Sequence, residues 1–142
     1  MEKNSQQVSI VVSNQTTFEI QFDIERFFKQ ALSLKEIHCG SYDINFVDTE
    51  TMKEINQTHL KRSYLTDIIT FNLGTIENPI GDIYISLDKA KENAKTFNNL
   101  FENEIKLLLV HGLLHLLDYR DYTDEEKDIM NKEQERLLEL LK

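Results

Sequence analysis

Residues 111–121 read HGLLHLLDYRD, a leucine-rich segment with two histidines four positions apart and an aspartate six positions after the second histidine. On an α-helix, residues i and i+4 lie on the same face, so the imidazoles of His111 and His115 would stand one above the other. Two neutral imidazoles in that arrangement can bind one transition metal ion. If the helix ends after Leu117 and the chain turns back, Asp121 can reach the same ion. Three protein ligands and an open position are typical of a catalytic metal, and we expect one Zn²⁺ or another divalent transition metal ion per chain.

A second interpretation of the two histidines is that they pack inside the core. The surrounding leucines make this helix apolar on nearly every side, which is typical of a buried helix. Burying two imidazoles costs free energy unless each has a partner, and a shared metal ion would provide a partner for both.

The third ligand also has a competitor, because Asp118 lies only three positions after His115. Asp121 is the better candidate, since the ligand turn of a catalytic zinc site requires the chain to reverse.

The length and composition are those of a small globular protein. With 142 residues, 40% of them apolar and 29% charged, the chain is expected to form a single domain over residues 1–142. No apolar run approaches the roughly 18 residues that cross a bilayer, and the polar N-terminus is unlike a signal peptide. The one cysteine, Cys39, excludes an internal disulfide framework. We therefore expect a protein of the reducing cytoplasm with no membrane partner.

Hydrophobic periodicity divides the chain into short strands and helices. Alternating or β-branched stretches predict strands at residues 7–12, 42–47, 68–72 and 83–87. Amphipathic patterns and capping residues predict helices at residues 23–34, after Asp48, after Asp88, after Asn99 with Glu102, and after Thr123 with Glu126. The residues expected on the buried side of the last helix are Ile129, Met130, Leu137, Leu138 and Leu141. We predict an α+β fold close to the α/β class, with one four-stranded mixed sheet packed by about five helices.

The spacing of the two histidines resembles that of the metzincin metallopeptidases, whose pattern is His-Glu-x-x-His-x-x-Gly-x-x-His. The glutamate of that pattern acts as the general base. Gly112 stands at its position here and cannot accept a proton. The third histidine of the pattern is replaced by Asp121. Peptidase chemistry is therefore the weakest of the functional alternatives.

Three separate motifs resemble the YbeY family of bacterial endoribonucleases. In the first, His111-Gly112, Leu114-His115-Leu116 and Tyr119 agree with the family pattern His-Gly-x-Leu-His-Leu-x-Gly-Tyr-Asp-His. The second is TDIITF at residues 66–71, similar to Thr-Asp-Val-Leu-Ser-Phe, and the third is GDIYIS at residues 81–86, similar to Gly-Asp-Ile-x-Ile-Ser. The order of the motifs and the total length also agree, so the resemblance extends from about Ser41 onward.

This resemblance implies a metal-dependent endoribonuclease that is specific for single-stranded RNA. Its role would be ribosomal RNA maturation, at the 3′ end of the small-subunit rRNA, together with ribosome quality control. Ribosomal RNA and the ribosome would be its partners, and a ribosomal protein or a ribosome-assembly GTPase is a further candidate. The resemblance leaves the oligomeric state open.

The chain departs from the family pattern at four positions. Asp118 replaces a glycine, Arg120 an aspartate and Asp121 a histidine. Leu60 stands where the family carries an arginine that would grip phosphate. Aspartate tolerates the left-handed turn that glycine allows, so the chain can still reverse at residue 118.

Catalytic roles stay open at the level of sequence. Lys61, Arg62 or Arg120 could take the place of the missing arginine. The candidate catalytic residues are therefore Arg62, Arg120 and Asp118, and the candidate general bases are Asp67, Asp82 and Asp118.

The net charge of −9 is the opposite of what a free-standing RNA-binding protein usually carries. Basic residues do gather locally, at Lys61 and Arg62 and again at Lys89, Lys91 and Lys95, so a basic cleft within an acidic protein is one expectation. The acidic charge and the missing arginine also favour an alternative function. This is a ribosome-associated assembly factor with the same fold and metal site but weak or no nuclease activity.

Overall fold

A computed structural model describes residues 7–60, 66–75 and 77–142. These residues contain four strands and five helices, which confirms the predicted α+β class. The strands are β1 (Val8–Asn14), β2 (Gly40–Val47), β3 (Ile68–Asn72) and β4 (Ile80–Ser86). The helices are α1 (Ile24–Leu34), α2 (Thr49–Leu60), α3 (Leu87–Thr96), α4 (Phe101–Leu116) and α5 (Asp124–Leu140).

The four strands form one mixed sheet in the order β1-β2-β4-β3. β1 is parallel to β2 and β2 is parallel to β4, while β3 is antiparallel to β4. In this register Ile44 lies opposite Val12 and Ile83, and Ile69 lies opposite Tyr84. β3 is therefore an edge strand, and it lies in contact with α4.

The two faces of the sheet carry apolar clusters of unequal size, because successive side chains of a strand point to opposite faces. The larger cluster joins Ile44, Phe46 and Ile83 of the sheet to α1 and α4. The smaller cluster joins Val47 and Ile69 to α2. Each large side chain that is fully buried contributes about 1.5–3 kcal/mol, so the face covered by α4 supplies most of the hydrophobic stabilisation. This packing fixes α4 against the sheet.

Two of the predicted helix caps are wrong. Ser86 caps α3 by accepting a hydrogen bond from the amide of Lys89 (3.2 Å), because β4 continues into the helix without a loop. Asp88 accepts hydrogen bonds from the hydroxyl (2.8 Å) and amide (3.3 Å) of Thr49, at the start of α2. The side chain of Asn99 bonds the amide of Leu100 (3.0 Å), and α4 begins at Phe101 without a side-chain cap.

Three further differences concern element ends and burial. β1 continues to Asn14, beyond the predicted end at residue 12, because it pairs with β2 along its whole length. β4 begins at Ile80 rather than at residue 83, because Gly81 and Asp82 also pair with β2. Ile129 is 55% exposed, contrary to its predicted burial, since only the side of α5 that carries Met130 and Leu137 is buried.

The predicted capping box of Thr123 and Glu126 is confirmed. None of the helices described here is long and apolar enough to cross a membrane.

Candidate metal centre

The second half of α4 brings the two predicted histidines together. The Nε2 atoms of His111 and His115 lie 3.0 Å apart, and the two ring planes are nearly perpendicular, at 81°. Both rings are half-buried, while the helix between them is held against the sheet by Leu113 and Leu114, which are fully buried. The helix spacing therefore produces the pairing that the sequence predicts.

The chain reverses immediately after α4, at Asp118. The amide of Asp118 donates to the carbonyl of His115 (3.1 Å), and the amide of Tyr119 donates to the carbonyl of Leu114 (3.0 Å). Asp118 has φ = +70°, in the left-handed region. These are the hydrogen bonds and the backbone conformation of a Schellman motif, with aspartate where glycine is usual. The predicted left-handed turn at this position is thus confirmed.

The start of α5 fixes the other end of the turn that contains Asp121. One carboxylate oxygen of Glu126 accepts hydrogen bonds from the amides of Tyr122 and Thr123, both at 3.1 Å. The hydroxyl of Thr123 accepts in return from the amide of Glu126, also at 3.1 Å. Asp121 consequently lies between two hydrogen-bonded motifs, and its Oδ2 atom is 3.6 Å from Nε2 of His115.

The three side chains form a group that could hold one metal ion. One donor atom from each of His111, His115 and Asp121 lies within 4.8 Å of the other two. Ligand atoms about 2.0–2.2 Å from a tetrahedral zinc ion lie about 3.3–3.6 Å from one another. The measured separations of 3.0 and 3.6 Å are close to that range. Two imidazoles and one carboxylate are also a donor set typical of divalent transition metals, so the residues fit such an ion.

Gln134 of α5 is a contact of this site that the sequence analysis missed. Its amide oxygen accepts a hydrogen bond from Nδ1 of His111, at 2.9 Å. With the proton on Nδ1, the lone pair of His111 is on Nε2, which faces His115 and Asp121. One signal could have revealed Gln134. It is a polar residue on the helical stripe of Met130 and Leu137, which are both buried.

His115 is electrostatically suited to bind a metal ion at neutral pH. Burial of the ring, followed by the neighbouring His111, lowers the pKa of His115. The carboxylate of Asp121 and a hydrogen bond with the backbone of Tyr119 oppose this effect. The net lowering of the pKa favours the neutral imidazole, which is the form that binds metals.

A cleft of about 440 Å³ opens beside the three donor residues, between α4 and the segment that contains β3. It is lined by Thr66, Asp67, Ile68, Ile69, Thr70, His111, His115, Asp121 and Tyr122. Gly112 allows α4 to approach β3 closely. A Cβ atom at residue 112 would lie 2.9 Å from Cδ1 of Ile68 and 3.3 Å from Cγ2 of Thr70. A side chain at the position of the metzincin glutamate would therefore press against Ile68 and Thr70, which line the cleft.

Comparison with known proteins agrees with this fold. The family model described as Endoribonuclease YbeY matches residues 9–142. The chain belongs to the endoribonuclease YbeY family. The enzyme class predicted from the three motifs is thereby confirmed.

Several relatives are similar to the chain over most of their length. A protein named Endoribonuclease YbeY from Christiangramia forsetii is 32% identical, over 99% of this chain and 96% of the relative. One of the same name from Aster yellows witches'-broom phytoplasma is 38% identical, over 92% of each. A protein from Thermotoga maritima with a known solution structure is 27% identical, with a TM-score of 0.63 over 93% of this chain and 88% of that protein.

The other residues that the YbeY resemblance suggested have different locations. Arg120 and Asp118 are exposed and line a separate depression beside Ile129. Asp82 accepts a hydrogen bond from the amide of Asn45 (3.0 Å) and lines a groove beside Phe71, outside the cleft. Arg62 and Lys61 lie outside the described residues, as does the side chain of Leu60. Of the candidate general bases, Asp67 alone lines the described part of the cleft.

The predicted cluster of lysines on α3 does not line this cleft in the described part of the chain. Lys89 forms an ion pair with Glu92 at 2.8 Å. Lys91 lies over the rings of Phe18 and Phe101, at 5.5 and 5.1 Å, and Lys95 lines the same cavity as these rings. This cavity is a separate one of about 510 Å³.

Proposed function

We propose that this YbeY family member is a metal-dependent endoribonuclease that cuts single-stranded RNA. His111, His115 and Asp121 would hold one ion, Zn²⁺ or another divalent transition metal, within a hydrolase domain that comprises residues 1–142. The observation that carries the proposal is the group of three donor atoms within 4.8 Å of one another beside an open cleft. Membership of a family of endoribonucleases supplies the class of substrate.

The chemistry follows from the residues that surround the cleft. A divalent ion held by these residues would supply Lewis-acid chemistry that assists phosphodiester hydrolysis, by lowering the pKa of a water and polarising phosphoryl oxygens. Gln134 keeps the lone pair of His111 directed at the donor group, and the turn at Asp118 keeps Asp121 beside it. Asp121 adds a negative charge that a third histidine would not, so the ion would be a weaker Lewis acid than one bound by three histidines.

The cleft favours an extended single strand as substrate. It is a small cleft of about 440 Å³ between a helix and an edge strand, and the backbone of an unpaired RNA segment can reach such a cleft more easily than a duplex can. The net charge of −9 predicts weak intrinsic affinity for RNA. The resemblance of the three motifs to the YbeY family is what leads us to propose a role in ribosomal RNA maturation and ribosome quality control in the cytoplasm. The substrate would be the 3′ end of small-subunit rRNA, presented by the ribosome with a ribosomal protein or an assembly GTPase.

Metal content and RNA cleavage, measured on the same preparations, test this proposal. Protein purified without chelator should contain one metal ion per chain by elemental mass spectrometry and should cut a fluorescent single-stranded RNA faster than its duplex form. His115→Ala and Asp121→Ala should lose both metal and cleavage, whereas His38→Ala, at an exposed histidine, should lose neither. Zn²⁺, Mn²⁺ and Co²⁺ added to metal-free protein identify the active ion. Full metal retention in Asp121→Ala, or cleavage that resists chelator, would contradict the proposed ligand set.

The second candidate function is a ribosome-associated assembly factor with the same site but little nuclease activity. The observations that favour it are the net charge of −9 and Leu60 at the position of the family arginine. Co-sedimentation with ribosomal particles, measured beside RNA nicking by the same protein, separates the two functions. If the protein binds ribosomal particles when it is less abundant than they are, and does not nick RNA, the result would favour the assembly factor.

A further inference from the structure

Asp67 lines the cleft from the segment that leads into β3. It precedes β3, and its backbone carbonyl accepts a hydrogen bond from the amide of Ser86 at 3.0 Å. Among the described residues that line the cleft, it is the one carboxylate outside the group of three metal-binding candidates. The other polar groups on this side are the hydroxyls of Thr66 and Thr70, which do not accept protons near neutral pH.

A bridging amide holds the carboxylate of Asp67 in place. Nδ2 of Asn93, on α3, donates to Oδ2 of Asp67 at 3.0 Å. The same nitrogen lies 3.5 Å from Oε2 of Glu104, on α4. Because one amide nitrogen carries two hydrogens, Asn93 can serve both carboxylates at once. The orientation of Asp67 is therefore tied to α4, the helix that carries His111 and His115.

Glu104 is a buried anchor for this bridge. Glu104 lies one turn into α4 and is only 5% exposed. It lies seven and eleven positions before the two histidines, which places all three on one stripe of the helix. Burial, and to a smaller extent the charge of Asp67, raises the pKa of Glu104, while hydrogen bonds from Asn93 and Asn99 act against that. A carboxylate in such surroundings is costly to bury unless it has partners, so Asn93 stabilises the pair.

We infer that Asp67 is the catalytic proton acceptor of this cleft and that Asn93, anchored by Glu104, is its positioning residue. This inference rests on the proposed phosphodiester hydrolysis. A bond forms between a water oxygen and the phosphorus of the RNA backbone, and the bond from phosphorus to the leaving ribose oxygen breaks. The proton released by the water goes to the carboxylate of Asp67. The leaving oxygen takes a proton from solvent water, and Asp67 later returns its own proton to solvent.

Steady-state cleavage of single-stranded RNA by the metal-loaded full chain tests this role. Asp67→Asn keeps the size and one acceptor oxygen of the side chain but cannot take a proton. We expect kcat to fall about 100-fold or more, which is typical for loss of a general base. KM should change little and the metal content should stay at the wild-type value, because Asp67 is not among the proposed ligands. Asp43→Asn, at an exposed aspartate of β2, is the matched control and should cleave at the wild-type rate.

Two further measurements separate a chemical role from a structural one. Asp67→Ala should regain activity as formate is added, since a small carboxylate can take the vacated place and accept the proton. Asn93→Asp keeps the size of the side chain but removes the donor and adds a negative charge beside Asp67 and Glu104, so kcat should fall about tenfold or more. Asn98→Asp makes the same change at an exposed residue two positions after α3 and should have no effect.

The outcomes distinguish this inference from the proposed function. If wild-type protein cuts RNA and Asp67→Asn cuts it with an unchanged kcat, the inference is wrong and the proposed function stands. A decrease in Asp67→Ala that formate does not reverse, accompanied by a lower melting temperature, would assign Asp67 a structural role and also overturn the inference. If metal-loaded wild-type protein cuts no RNA, both fail.

Discussion

Replacing Gln134 by leucine should weaken metal binding without disturbing the fold. The change removes the acceptor that lies 2.9 Å from Nδ1 of His111 and leaves a side chain of similar size on α5. A hydrogen bond of this kind contributes about 0.5–1.5 kcal/mol, and 1.4 kcal/mol corresponds to a tenfold change in Kd. Loss of such outer-shell partners usually costs about 10–100-fold in metal affinity. We therefore expect the Kd for zinc to rise about tenfold.

Competition with a fluorescent zinc chelator measures this change directly. Gln134→Glu keeps an acceptor oxygen at the same position and should bind zinc at least as tightly as wild type. Glu135→Ala changes the exposed neighbour on α5 and should have no effect. In metal-free protein, ¹⁵N spectra of the imidazole should show the proton of His111 on Nδ1 in wild type and a loss of this preference in Gln134→Leu.

The reasoning would be refuted if folded Gln134→Leu bound zinc within twofold of wild type. An unchanged tautomer of His111 in that variant would refute it as well, because the orientation of the ring would then come from packing alone. A melting temperature measured on metal-free protein shows whether a weaker Kd reflects the site or the fold.

Three further substitutions test other parts of the structure. Asp118→Gly should raise the free energy of unfolding, measured with urea, by up to about 1 kcal/mol, because glycine adopts φ = +70° without strain. Gly112→Glu should lower it by about 1–3 kcal/mol or more, and should not create peptidase activity in a casein digest, because residue 112 packs against Ile68 and Thr70. Glu133 is the third. Hydrogen bonds from Arg136 and Lys35 lower the pKa of Glu133 from 4.5 to about 2, so its contribution to stability is present above pH 4.5 and is lost as the pH falls towards 2. Unfolding of Glu133→Gln, measured across that window, should depend less on pH than unfolding of wild type, and an equal slope in the two proteins would contradict the assignment.

The parts of the site that follow from local geometry could be predicted from the sequence. The spacing of His111 and His115 is a property of any α-helix, and Asp121 comes near them because the chain turns within a few residues. Gln134 could not be found in this way, since its contact with His111 depends on how α5 packs against α4. Asn93 and Asp67 are likewise joined only by tertiary structure.

In the fold, too, the features set by local sequence could be predicted and those set by tertiary contacts could not. Periodicity located all nine elements in the described residues, and the motif resemblance gave the family. The order of the strands and the role of Asp88 depend on pairings between distant residues, which a single sequence does not contain. Asp88 is a good N-cap residue that instead joins the start of α2, because Ser86 already caps α3.

The turn between α4 and α5 is held in place by its flanks. Backbone hydrogen bonds to His115 and Leu114 secure one side, and the carboxylate of Glu126 secures the other. The side chain at residue 121 contributes no bond to either motif in the described structure. The backbone motifs therefore fix the location of residue 121 whatever its side chain is. Histidine could therefore stand at residue 121 in place of aspartate without a change in either motif, and the Lewis acidity of an ion held there would change with it.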